Sequence, residues 1–163
     1  MNRIDSYGLK ICAFQAKVFE ESVSRLNCSS SIFIRRFMYS DLASRIDNDG
    51  YFAESIGLEE VYDDLERQYG ITEYGQQKYS KSEMHWMGYI YRYWAYVYGK
   101  TSKQVFKYMK PSELRDLYFP YHSLDPAQAI ERILESKGIN DIDEIARGVE
   151  IVRRIRQKYQ STT

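Results

Sequence analysis

The stretch Ser80 to Lys110, SKSEMHWMGYIYRYWAYVYGKTSKQVFKYMK, decides the fold. Ser80 and Glu83 form a capping box: the hydroxyl accepts from the third helical amide and the carboxylate reaches back. Met84, Met87, Tyr91, Trp94 and Tyr98 then recur along one side of a helix, broadened by Ile90 and Val97. Trp86, Tyr89, Tyr93 and Tyr96 fall on other sides. A helix apolar nearly all round is a central, buried one, so 81–98 is the expected axle of the molecule. Arg92 is the lone charge in its middle, and a buried guanidinium needs a carboxylate partner. Gly99–Lys100 makes a tight turn. Thr101 with Gln104 is a second capping box, opening a short basic helix over 102–109.

Downstream, Pro111 suits the first position of a helix running to Tyr118, with Pro120 as its stop. Asp125-Pro-Ala-Gln128 opens another helix, to Ser136, closed by Gly138. Asp141 with Glu144 starts the last one, to about Tyr159. Upstream, 71–79 read as polar loop. Gly57 to Tyr69 is an acidic helix with Leu58, Val61, Tyr62 and Leu65 inward, ended by Gly70. Asp47-Asn-Asp-Gly50 suggests a calcium loop but fails on spacing. With Gly50 at position six, Arg45 and Ile56 fall where ligands are required, so a plain Asx/Gly turn is expected. Ser31 to Tyr39 and Asp41 to Ile46 are short helices. The first helix covers 6–27, with Leu9, Cys12, Ala16, Phe19 and Val23 on its inner face and Ile11, Phe14 and Val18 widening it. No run shows strict apolar alternation. The expectation is an all-α, single-domain bundle over 1–163, with about seven helices around helix 81–98.

Composition narrows the function. The chain has 163 residues, 44% hydrophobic and 28% charged, in the range of a folded globular protein. Its 23 basic and 23 acidic side chains balance to zero, which argues against a generic nucleic-acid coat. Cys12 and Cys28 have no zinc spacing and read as reduced, buried thiols of a cytoplasmic protein. No apolar run reaches the ~18 residues of a membrane span, and no signal segment is visible. No metal or cofactor is expected. The 16 tyrosines are first of all core material with polar tips, and they leave a homodimer open.

Four features bear chemistry. Ala95, Gly99 and Val105 have helix-turn-helix spacing: a small residue for close approach, a turn glycine and a β-branched core residue. In that reading Thr101, Ser102, Lys103 and Lys107 face a major groove, with Lys100 and Lys110 near phosphates. Phe106 counts against it, because the spacing puts it outward. The alternative is an ordinary helical corner. His85 and His122 lack a recognisable nucleophile partner and read as capping or core residues. Glu131 and Glu135 lack the Glu-x-x-His partner of a di-iron site and read as a solvated face. Arg147, Arg154 and Lys158 share a face of the last helix, able to grip an acidic partner or simply solvated. Tyr118-Phe-Pro-Tyr-His122, with Tyr118 and Tyr121 as its proposed contacts, is an aromatic loop that fills a groove of its own fold or docks a partner.

Glu83 to Glu135 carries the words HWMGYIYRYW, KPSELRDLY and PYHSLDPAQAIERI. This stretch resembles a family of small uncharacterised bacterial proteins encoded beside toxin–antitoxin-type genes, some of whose toxins resemble ADP-ribosyltransferases. SSSIFIRRFMYSDLASRIDNDG is similar more loosely. The resemblance implies a partner encoded by a neighbouring gene, a toxin, and an antitoxin-like role. It carries over no catalytic residue. The expected function is therefore a non-enzymatic interaction component of a toxin–antitoxin or defence module. The alternative is a helix-turn-helix regulator binding operator DNA through 95–107.

Overall fold

The structure is a computed structural model that describes residues 4–48 and 55–139. Among these residues nine α-helices are delimited and no strand is found, so the fold is all-α. The helices are α1 Ser6–Arg25, α2 Ser30–Met38, α3 Asp41–Asn48, α4 Leu58–Tyr69, α5 Lys81–Val97, α6 Ser102–Tyr108, α7 Pro111–Asp116, α8 Tyr118–Tyr121 and α9 Pro126–Ser136. The chain divides into two compact units, Met1–Ser123 and Leu124–Thr163. α9 belongs to the second. The helix expected over 141–159, with Arg147 and Arg154, lies outside the described residues, as does the Asp49–Gly50 end of the expected turn.

Within the first unit the central pair is α1 against α5. Hydrogen bonds join Asp5 to Tyr96 and Gln15 to Gly88 and Arg92, and Glu20 faces His85, so the two helices run antiparallel. Glycine makes the close approach possible. A β-carbon at Gly88 would lie 2.8 Å from the Gln15 carbonyl oxygen and 2.8 Å from Phe19 Cγ. Met87, Ile90 and Tyr91 of α5 are fully buried, and Tyr91 packs on Phe19 of α1 at 6.3 Å. The inner face of α1 is turned from the expected one. Cys12, Ala16 and Phe19 are buried, but Leu9 is 44% exposed and Gln15 takes a core position. The register follows the approach of α5 at Gly88, and the apolar stripe of α1 does not set it alone.

Local signals place the helix ends. Both capping boxes form, at Ser80/Glu83 and Thr101/Gln104. Gly70 and Gly138 take the left-handed φ of 77° and 69° that favours glycine. Residues 70–80 are non-helical, and they lie along the start of α2: Ser29 and Ser30 amides donate to the Tyr74 and Gln77 carbonyls. Those bonds satisfy amides near a helix N-terminus that have no partner within the helix. At the C-terminus of α1, Lys78 Nζ donates to the Val23 and Leu26 carbonyls, satisfying the opposite kind of orphan.

Pro120 does not act as a stop. α7 ends earlier, at Asp116, and Pro120 sits inside the single turn α8. It is the third residue of that turn, where a backbone N–H would have no helical partner anyway, so its missing donor costs nothing.

Candidate functional site

The corner between α5 and α6 has the geometry its spacing implies. Ala95 is buried, Gly99 has φ 61° and Val105 is fully buried. The Lys100 amide donates to the Ala95 carbonyl at 2.8 Å, the long bond of a Schellman turn. Trp94 stacks on Tyr108 at 6.1 Å, and the Tyr91 hydroxyl donates to the Met109 carbonyl, so the C-terminal end of the second helix is fastened to α5.

A buried polar network lies beneath the corner. Arg92, 2% exposed, donates from Nε to Gln15 Oε1 at 2.7 Å, from Nη1 to Asp47 Oδ1 at 2.6 Å and from Nη2 to Ser102 Oγ at 2.9 Å. The Ser102 amide donates to Asp47 Oδ2 and its hydroxyl to Asp47 Oδ1. Asp47 therefore answers the need of Arg92 and at the same time caps the start of α6. Four helices, α1, α3, α5 and α6, meet at this guanidinium. The sequence requires a carboxylate for Arg92 but holds no local signal to identify it, since Asp47 is 45 residues away.

This network corrects the proposed contact set. Ser102 is 1% exposed and committed to Asp47 and Arg92, so it faces the core and not a groove or partner. Phe106 is also corrected: it is buried, edge-on to Tyr39 at 5.4 Å. The outward face of α6 is made by Lys103, Gln104, Lys107 and the partly exposed Tyr108, with Lys110 following. Lys103 lies 5.9 Å over the Tyr39 ring and Lys110 4.5 Å over Phe106. Lys100 is half-buried, and Thr101 is exposed with its hydroxyl accepting from the Gln104 amide.

The aromatic segment is sorted differently from its expected form. Tyr118 is half-buried, edge-on to Trp86 at 5.8 Å and stacked with His122 at 4.5 Å. His122 Nδ1 lies 2.8 Å from the Tyr118 carbonyl oxygen. Tyr121 is half-buried. The large apolar side chain presented to solvent is Phe119, 84% exposed, which the sequence pattern does not single out within the segment. The helical turn is what separates the two: consecutive residues point about 100° apart, so with Tyr118 turned in, Phe119 turns out.

The two histidines are both exposed. His85 Nδ1 is 3.6 Å from Glu20 Oε1, and neither ring is placed against a serine or cysteine nucleophile by the described contacts. Burial pushes the Cys12 thiol up to about 12, against a smaller downward pull from Arg92, so it is a neutral core group. No helix among the described residues is long and apolar enough to cross a membrane. No protein-family model matches the chain, and comparison with curated proteins and with solved structures found no match.

Proposed function

We propose that this chain is a non-enzymatic, antitoxin-like interaction component of a bacterial toxin–antitoxin or defence module, docking a protein partner through Phe119 and the basic face of α6. The supporting observation is Phe119 itself, exposed on a turn that is braced from beneath by Tyr118, Trp86 and His122. An aromatic side chain held by a pre-formed turn loses little freedom on binding, and such anchors dominate interface energetics. The lysines of α6 supply steering for an acidic surface on the partner. The toxin–antitoxin setting rests on the resemblance carried by Glu83 to Glu135. The test is co-expression with the product of the neighbouring gene. The expected result is a co-purifying complex that Phe119→Ala weakens at least about tenfold while the free chain stays folded. Absence of a complex, or a complex indifferent to Phe119→Ala and to Lys103→Glu with Lys107→Glu, overturns the reading.

A second reading is favoured by one specific observation. Burial of Phe106 removes the objection to α6 as a base-reading helix, leaving Lys103, Gln104 and Lys107 outward. A helix-turn-helix regulator would shift operator DNA in a salt-dependent manner, and Lys103→Glu with Lys107→Glu would abolish the shift. Retained partner binding in that double variant, with no DNA shift in the wild type, rejects this reading.

A further inference from the structure

A cleft of about 520 Å³ opens between the C-terminal end of α1, α2, α4 and the segment that follows α4. Its volume falls in the range of small-molecule sites. The apolar lining comes from Phe33, Leu65, Cys28 and Leu26, with Ile71 beside the mouth. Phe33, Leu65 and Cys28 are buried, and Ile71 is 78% exposed. Tyr62 and Tyr69 of α4 add aromatic surface, and each carries an arginine over its ring, Arg25 at 5.3 Å and Arg36 at 5.3 Å.

The two arginines differ in what they are free to do. Arg25 is engaged, 3.7 Å from Glu21 and 3.8 Å from Glu59. Arg36 is half-buried, and among the described residues it forms no ion pair and no hydrogen bond from its side chain; it rests only on Tyr69. A planar guanidinium keeps several donors available when one face is stacked, and those donors match a carboxylate. The cleft also has acidic residues, Glu59, Asp63 and Glu66, all of them exposed. Their charge is spread into water, whereas that of Arg36, partly shielded from solvent, acts at close range.

We propose that this cleft binds a small carboxylate with an apolar body, its acid group on Arg36 and its body against Phe33, Leu65 and Ile71. The site is separate from Phe119 and from the outward face of α6. None of the cleft-lining residues belongs to either surface, so the inference stands whether or not the interaction reading holds.

Calorimetric titration of the full chain with octanoate, 1-octanol and octylamine tests it, because the three share one body and differ in charge. The expected result is saturable one-site binding of octanoate, at least about tenfold tighter than octanol. Arg36→Gln should bring octanoate to the octanol level, and Arg36→Lys should keep part of the preference. Leu65→Trp, which fills the cleft, should remove binding of both, with far-UV circular dichroism confirming helix content. Failure of octanoate to saturate the wild-type chain overturns the proposal. So does equal binding of octanol, tighter binding of octylamine, which would assign control to the acidic rim, or an Arg36→Gln chain that is folded and unchanged. The wild-type comparison decides even if a variant fails to fold.

Discussion

Arg92 and Asp47 meet at 2.6 Å with their side chains 2% and 7% exposed, and through this pair α3 holds the corner between α5 and α6. Removing one partner leaves the other charged and buried. Asp47→Ala is expected to cost about 3–5 kcal/mol, seen as a melting temperature lower by roughly 10 °C or more. Asp47→Ala combined with Arg92→Met is expected to cost less than the sum of the two single changes, because the stranded charge is gone. Thermal denaturation of the three variants checks this. Additive losses would show that the pair is not coupled.

Gly88 lies directly against the α1 backbone at Gln15. Gly88→Ala drives a methyl group into the Gln15 carbonyl oxygen, which belongs to helix backbone and cannot swing aside. A loss of about 1–3 kcal/mol is expected from overpacking. Gly8→Ala meets the Tyr96 ring instead, at 2.4 Å, and that residue is 36% exposed. Both obstacles, Tyr96 and Ile4 at 2.7 Å, are side chains that can shift, though Tyr96 does so at the expense of its hydrogen bonds to Asp5, so the expected loss is smaller although the initial overlap is worse. Chemical denaturation midpoints of the two variants give the order.

The thiols are expected to differ in reactivity. Cys12 is fully buried and its thiol is pushed up to about 12, first by burial. Cys28 is 6% exposed and is also raised, again first by burial, while Arg36 and Lys78 pull it down. A disulfide-exchange reagent at about pH 8 should therefore label Cys28 first, through local opening near the end of α1, and Cys12 only at the rate of larger unfolding. Peptide mass mapping against time separates the two sites. Simultaneous labelling would contradict this order.

Glu83 links acid sensitivity to one helix end. Its burial acts to raise the carboxyl, but the Ser80 amide, the Arg115 guanidinium at 2.9 Å and the Ser80 hydroxyl outweigh it and leave the group below its ordinary value of 4.5. A carboxyl lowered on folding adds stability above its unfolded value and loses it as pH falls through the folded one. The wild-type chain should therefore lose stability on acidification below about pH 4.5 more steeply than Glu83→Gln, which preserves the capping geometry without the charge. At neutral pH Glu83→Gln should be slightly the less stable, since Glu83 is only partly shielded from water. Denaturant midpoints at about pH 7 and about pH 3.5 measure both effects. Parallel pH profiles would show that Glu83 has no part in the acid response.

The helices and most of their ends were legible because their signals are local. Ser80 with Glu83, Thr101 with Gln104, Asp125 before Pro126, and the glycines at 70, 99 and 138 each act within one turn of chain. The central place of 81–98 was legible too, because a helix apolar on nearly every side has nowhere else to go. Which face of a helix is buried was less legible, since that depends on a neighbour many residues away. Leu9 faces outward and Gln15 inward because α5 approaches at Gly88. Ser102 and Phe106 turn into the core because Asp47 and Tyr39 are there to receive them. The candidate surface changed for the same reason. Tyr118 is drawn onto Trp86, and the rotation of a single helical turn then presents Phe119. Caps, turns and periodicity belong to the order of residues along the chain; partner, burial and exposure arise only when distant segments meet, and for Arg92, Ser102 and Phe119 that meeting was the deciding event.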